Sequence, residues 1–102
     1  MNVVRTIADV RHAVREARAR GATIGLVPTM GAFHAGHLSL LRAARAQTGF
    51  VVVSLFVNPV QFNDPADLAA YPRDEARDAA MAAAEGVDVL FAPTADTVFP
   101  AG

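Results

Sequence analysis

The stretch from Val27 to Ala46, VPTMGAFHAGHLSLLRAARA, joins the end of an apolar run to a glycine-containing loop and then to a helical pattern. The run TIGLVP predicts a short β-strand that ends at Pro28. The apolar spacing after the loop predicts a helix from about Gly36 to Thr48 that stops at Gly49. A strand followed by a loop and a helix is typical of an α/β protein.

The segments on either side of this unit continue the alternation of helix and strand. FVVVSLF, residues 50–56, is almost continuously apolar and rich in β-branched residues, which predicts a strand buried on both faces. Helices are predicted over residues 6–20 and 74–85, and VDVLFAP, residues 87–93, predicts a third strand. Because helices separate the strands, we expect a Rossmann-like parallel sheet with flanking helices, a three-layer α/β fold.

Two glycines and two histidines make the loop a candidate phosphate site. It leaves the first predicted strand at its carboxyl end, where open parallel sheets bind ligands, and the following helix offers unpaired N–H groups and a positive dipole end. Gly31 permits a tight turn, and Gly36 leaves room for a nucleotide against the backbone. His34 and His37 begin the helix three residues apart, so their N–H groups can converge on one phosphate and stabilise its developing charge.

Composition excludes several classes of protein. The 102 residues contain no cysteine, which excludes disulfides, thiolate metal sites and cysteine nucleophiles. Nine basic residues, all arginine, and ten acidic residues give a formal charge of -1, which argues against a nucleic-acid partner. No apolar run approaches the roughly 20 residues of a membrane-spanning helix, and the N-terminal charges alternate, unlike those of a secretory signal. We therefore expect a cytoplasmic protein with no membrane or nucleic-acid partner.

Pattern alone leaves other interpretations open. A zinc site at His34 and His37 needs a further ligand, and no nearby His, Cys or Glu offers the usual spacing, so no metal ligand is assigned. Two structurally satisfied loop histidines are the other alternative. Residues 57–74, VNPVQFNDPADLAAYPRD, contain three prolines and predict a long loop, which in a small domain is usually functional.

A family resemblance adds to these observations. HAGH, residues 34–37, matches the HxGH signature of the nucleotidylyltransferase superfamily, Rossmann-like enzymes that attack the α-phosphate of ATP. From about Ile24 to Pro100, the segments PTMGAFHAGHLSLLRAA, VVVSLFVNPVQFNDPADLAAYPRD and GVDVLFAPTADTVFP closely resemble the pantothenate synthetase (pantoate–beta-alanine ligase) family. The resemblance implies that ATP, with Mg²⁺ on its phosphates, and pantoate give pantoyl adenylate, from which β-alanine displaces AMP. It implies no tightly bound cofactor.

The resemblance also implies roles for the residues of the histidine loop. His34 and His37 align with the signature histidines that contact the phosphates of ATP, and His37 aligns with the family's proposed general acid. Met30 and Gly36 fall on positions that line the ATP site. The catalytic candidates are therefore the two histidines.

Pantoate binding is implied for three further residues. Gln61, Pro28 and Thr29 fall on positions of the family's pantoate pocket. A glutamine amide can donate to a carboxylate and accept from a hydroxyl, and pantoate offers both groups. Roles for Asn58 and Tyr71 stay open.

Two differences from the family matter for activity. Phe33 stands where the family usually has leucine, and members of the family are much longer than 102 residues. We expect residues 1–102 to be the N-terminal part of the ATP- and pantoate-binding domain without the C-terminal lid domain, and to have little or no synthetase activity alone. A homodimer is expected, since a truncated sheet leaves an open strand edge. The alternatives are another HxGH adenylyltransferase of cofactor biosynthesis and a non-catalytic binding or folding module.

Overall fold

The computed structural model describes residues 1–57, 64, 66–67 and 73–94. In these residues, strands β1 (Asn2–Val4), β2 (Ile24–Thr29), β3 (Phe50–Leu55) and β4 (Val89–Phe91) form one parallel sheet in the order β1-β4-β3-β2. Helices α1 (Ile7–Ala19), α2 (Ala35–Gln47) and α3 (Glu75–Ala84) alternate with the strands. The predicted parallel α/β architecture is confirmed. None of the described helices combines the length and apolarity that a membrane crossing requires.

Helices cover both faces of the sheet. Successive side chains of a strand point to opposite faces, so Val51 and Val53 share one face of β3 and Val52 takes the other. All three valines are buried. Val51 and Val53 belong to the main core cluster with side chains of α2 and α3, which pack on that face. Helix α1 packs on β2 and β4 and buries Ala17.

The helix boundaries follow from capping residues that the sequence displays. Thr6 caps α1, where its Oγ1 accepts a hydrogen bond from the Asp9 N–H at 3.1 Å. Asp74 caps α3, where its carboxylate accepts from the Arg77 N–H at 3.0 Å. Such caps satisfy N–H groups that have no partner within the helix. The predicted helices are confirmed, with ends that differ by one residue from the observed ones.

Two strands differ from expectation at their ends. The sequence pattern does not predict β1, a three-residue edge strand whose first two residues are exposed and which pairs only with β4 within the described sheet. Strand β2 continues one residue beyond Pro28, to Thr29. Because β2 is the other edge of that sheet and pairs there only with β3, the N–H that proline lacks costs no hydrogen bond of the sheet.

Candidate functional site

A cavity of about 300 Å³ lies at the carboxyl end of the sheet. Its walls come from the ends of the four described strands and the segments that follow them, namely Arg5, Met30, residues 55–57 and residues 92–94. The first turn of α3 adds Glu75 and Asp78. This is the edge at which open parallel sheets bind their ligands.

His34 and His37 cap the start of α2 reciprocally. The Gly36 N–H donates to Nδ1 of His34 at 3.0 Å, and the His34 N–H donates to Nδ1 of His37 at 3.2 Å. The centroids of the two imidazole rings lie 4.1 Å apart. The structure therefore brings together the two histidines that the sequence singled out.

The capping geometry determines which nitrogen of each ring can face a ligand. Each Nδ1 accepts a hydrogen bond, so each neutral ring carries its hydrogen on Nε2. We expected unpaired backbone N–H groups at this helix start. This is wrong for His34 and Gly36, because their N–H groups already donate to imidazole nitrogens. In both rings Nε2–H is therefore the group left to donate to a ligand at this turn.

Gly36 allows the close approach of the His34 ring. A Cβ added at Gly36 would lie 2.9 Å from Cε1 and 3.1 Å from Nδ1 of His34. The expected reason for this glycine was room for a nucleotide. In the structure, the capping imidazole also lies where a Cβ at this position would point.

We expect Gly36→Ala to displace the His34 ring with little effect on stability. Alanine favours the helix over glycine by about 1 kcal/mol, and loss of the cap costs about 1 kcal/mol, so the free energy of unfolding should change by less than about 1 kcal/mol. Urea unfolding and NMR of the imidazole signals measure the two effects. Gly49→Ala is the control, since its Cβ would meet nothing closer than 3.4 Å. Unchanged His34 signals in Gly36→Ala would contradict this interpretation.

The loop between β2 and α2 is anchored in the core. Phe33 is 1% exposed, belongs to the main core cluster, and its ring centroid lies 5.3 Å from that of His37. Gly31 and Ala32 make the turn before it with φ values of +84° and +53°. Alanine is strained in this left-handed region, so other contacts must hold the turn.

Asp78 supplies those contacts from α3. Its side chain is 1% exposed, and its two carboxylate oxygens accept from the N–H groups of Ala32 and Phe33, both at 2.9 Å. Asp78 is not among the residues that the sequence motifs single out. The available signal was its position four residues before Ala82, on the buried side of an alanine-rich helix, where a carboxylate needs hydrogen-bond partners.

The surroundings of His37 favour its neutral form. Burial is the main cause that lowers the pKa of His37, the nearby His34 lowers it further, and the charge of Asp78 opposes both. At neutral pH the ring is therefore a neutral Nε2–H donor.

A lowered pKa of His37 predicts a loss of stability under mildly acidic conditions. When the pH falls below about 6.5, the unfolded chain binds a proton before the folded chain does, so the free energy of unfolding decreases between about 6.5 and the lower pKa of the folded state. Protonation at Nδ1 also removes the hydrogen bond from the His34 N–H. Urea unfolding at pH values of about 7.5 and about 5.5, on either side of that threshold, measures the loss, which should be smaller in His37→Gln. An equal loss in that variant would assign the effect to other groups.

The other predicted site residues differ in whether they line the cavity. Met30 lines the cavity, whereas Pro28 is exposed on β2 and does not. The Thr29 hydroxyl donates to the Ser54 carbonyl at 2.9 Å and accepts from the Gly31 N–H at 3.3 Å, so it braces β2 against β3 and the turn. Three predicted or open positions lie outside the described residues: Gln61, Asn58 and Tyr71.

An ion pair forms part of the cavity wall. The Arg5 guanidinium, just after β1, donates to both carboxylate oxygens of Glu75, one of them at 2.8 Å. This hydrogen-bonded arginine holds the pKa of Glu75 below its usual range. The pair ties the start of α3 to the end of β1. Within residues 1–57, 64, 66–67 and 73–94 there is no group of three or more His, Cys, Asp or Glu that could hold a metal ion.

Curated relatives match the chain over almost its whole length. A family model described as pantoate-beta-alanine ligase matches residues 2–101. The pantothenate synthetase of Cereibacter sphaeroides is 57% identical over 100 residues, a match that covers 98% of this chain and 36% of the relative. The pantothenate synthetase of Moorella thermoacetica is 56% identical over 102 residues, a match that covers 100% of this chain and 36% of the relative. The chain thus spans about a third of the length of these relatives.

Solved structures of pantothenate synthetases share the fold. The pantothenate synthetase of Thermus thermophilus superimposes with a TM-score of 0.87 at 44% identity, covering 100% of this chain and 35% of that one. The pantoate-beta-alanine ligase of Francisella tularensis is described as complexed with beta-gamma ATP and beta-alanine. It superimposes with a TM-score of 0.90 at 41% identity, and the match covers 100% of this chain and 39% of that one. The chain therefore belongs to the pantoate-beta-alanine ligase family, as the resemblance of its histidine loop and central segment predicted.

Proposed function

We propose that this chain supplies the nucleotide- and pantoate-binding part of an ATP-dependent ligase that condenses pantoate with β-alanine. The observation that carries the proposal is the pair of imidazoles at the first turn of α2, beside the cavity at the carboxyl end of the sheet. Family membership supports it. Residues 1–102 would be the N-terminal part of the catalytic domain, and activity would need the remainder that the relatives possess.

ATP, as its Mg²⁺ complex, is proposed to bind with its phosphates against the Nε2–H groups of His34 and His37. Met30, which lines the cavity, and Gly36, beside the His34 ring, are the proposed further contacts of the nucleotide. A neutral imidazole can strengthen its hydrogen bond as charge grows on a phosphate oxygen without giving up its proton. The lowered pKa of His37 in the chain without ligand is consistent with such a neutral donor.

The proposed reaction has two steps. A carboxylate oxygen of pantoate attacks the α-phosphorus, and the bond from that phosphorus to the bridging oxygen breaks, which releases pyrophosphate. The amine of β-alanine then attacks the acyl carbon, AMP leaves with the bond electrons, and the amine loses a proton. The two histidines serve the first step, in which negative charge shifts onto the departing phosphates.

Pantoate is proposed to occupy the cavity at the end of the sheet. The volume of about 300 Å³ is at the lower end of the range for small-molecule sites, which suits a small hydroxy acid. Gln61 remains its proposed ligand. The resemblance also assigns Pro28 and Thr29 to pantoate, but these two residues do not line the cavity. The Thr29 hydroxyl donates its hydrogen to the Ser54 carbonyl, so Thr29 could offer pantoate only acceptor or apolar contacts.

The proposal includes a cytoplasmic homodimer. Strand β2 forms an edge of the described sheet, and Leu26 on it is 64% exposed. Unpaired strand edges and exposed apolar side chains favour association.

Calorimetric titration of the chain with ATP–Mg²⁺ and pantoate tests the proposed substrates. We expect the chain to bind both ATP–Mg²⁺ and pantoate, each at the carboxyl end of the sheet. Binding of a phosphorylated cofactor precursor in place of pantoate would instead favour another HxGH adenylyltransferase. If the folded chain binds none of these compounds, it is a folding module only and the proposal is wrong.

A further inference from the structure

We propose that Asp78 is a positioning residue for the histidine pair, since its carboxylate holds the backbone from which both imidazoles extend. The proposal depends on the proposed function only in treating the two histidines as hydrogen-bond donors to phosphate. Their placement by α3 is a property of the chain without ligand.

Both carboxylate oxygens of Asp78 bind the histidine loop. Oδ2 accepts from the Ala32 N–H and Oδ1 from the Phe33 N–H, each at 2.9 Å. The N-cap of α3 is Asp74, so Asp78 has no capping role in its own helix. A carboxylate that is 1% exposed is costly unless its hydrogen bonds are satisfied, and the loop satisfies both oxygens.

Arg77, beside Asp78 on α3, extends the contact to the next peptide group. Its guanidinium donates to the Phe33 carbonyl oxygen at 3.1 Å and lies 3.5 Å from Asp78 Oδ1. The same peptide group carries the His34 N–H, which donates to Nδ1 of His37 at 3.2 Å. A continuous series of hydrogen bonds therefore runs from α3 through one peptide plane to the His37 ring, and such series strengthen each member.

The backbone of this loop needs an external support. Ala32 has φ +53°, a conformation that an alanine does not keep without compensating contacts. A Cβ at Gly31 would lie 3.0 Å from Asp78 Oδ2, so the turn is wrapped closely around the carboxylate. Loss of Asp78 should therefore release the turn and, with it, the position of both rings.

The test is NMR spectroscopy of the 102-residue chain and its Asp78→Asn variant without ligand. Asparagine keeps the shape but offers only one acceptor oxygen to two N–H groups. We expect the His34 and His37 ring signals to shift, the Phe33–His37 ring contacts to weaken, and the His34 amide to exchange about tenfold faster. Arg77→Gln should produce the same changes to a smaller extent.

Asp88→Asn is the matched control. Asp88 also accepts a backbone N–H, that of Val51 at 2.8 Å, and pairs with Arg45 at 2.7 Å, and both of these contacts lie away from the histidine loop. Its variant should leave the imidazole signals in place. Unchanged imidazole signals in a folded Asp78→Asn, or equal changes in Asp88→Asn, would overturn the positioning role.

Two further outcomes are distinguished by whether the variants fold and by whether the folded proteins respond to ATP–Mg²⁺. If Asp78→Asn and Asp78→Glu both fail to fold while Asp88→Asn folds, Asp78 is a folding residue and the proposal is overturned. ATP–Mg²⁺ is then added to each folded protein. If the wild-type chain does not respond to ATP but Asp78→Asn has displaced rings, the positioning role stands and the proposed function fails.

Discussion

His37→Ala should lower the affinity of the chain for ATP–Mg²⁺ by about 10- to 100-fold while the sheet stays folded, because a hydrogen bond to a charged group contributes about 1.5–3 kcal/mol and about 1.4 kcal/mol corresponds to tenfold in affinity. The variant loses the Nε2–H donor of one ring and also the Nδ1 atom that accepts from the His34 N–H. The second ring is therefore left less well placed. Calorimetric titration with ATP–Mg²⁺ measures the loss.

His12→Ala is the matched control for that measurement. His12 is an exposed histidine of α1 that contacts Glu16 at 3.3 Å, away from the cavity and the histidine loop. Its removal should leave ATP affinity within about twofold, as expected for a surface change within roughly 0.5 kcal/mol. Equal affinities of the wild-type chain and His37→Ala would contradict a phosphate role for this turn.

Leu41→Ala should reduce the free energy of unfolding by about 2–5 kcal/mol. Leu41 is 0% exposed and belongs to the core cluster that joins α2 to the sheet, so alanine leaves a cavity that the surrounding side chains fill only in part. Such a loss is a large fraction of the roughly 5–15 kcal/mol that stabilises a typical domain. Because α2 carries His37, the loss also exposes the site to local opening. Urea unfolding monitored by circular dichroism measures the change.

Leu40→Ala provides the comparison on the same helix. Leu40 is 56% exposed, so its truncation leaves no buried cavity and should change the free energy of unfolding by less than about 0.5 kcal/mol. Similar losses in the two variants would mean that α2 does not pack as described.

Much of the fold can be predicted from local patterns. Helices α1 and α3 display their caps in the sequence at Thr6 and Asp74, and the apolar run over residues 50–56 is typical of a strand covered on both faces. Strand β1 has no such signal. Its three residues become a strand because β4 offers a free edge, and that edge is contributed by residues 89–91, far along the chain.

The candidate site could be predicted in its residues but not in its geometry. The positions of His34, Gly36 and His37 follow from the strand, loop and helix order, and the structure brings them together. Which ring nitrogen is occupied depends on local angles that spacing does not determine. Asp78 could not be placed opposite the loop from the sequence, because its partners Ala32 and Phe33 lie 46 and 45 residues earlier.

The most direct test of the central claim is an NMR titration of the chain with ATP–Mg²⁺ in which all three imidazoles are observed. If the turn at the start of α2 is the phosphate site, the signals of His34 and His37 shift saturably, those of His12 do not, and the shifts disappear in His37→Ala. Addition of pantoate should enhance the shifts. If His34 and His37 do not respond, or respond no more than His12, the histidine pair is a helix cap only and the proposed site is wrong.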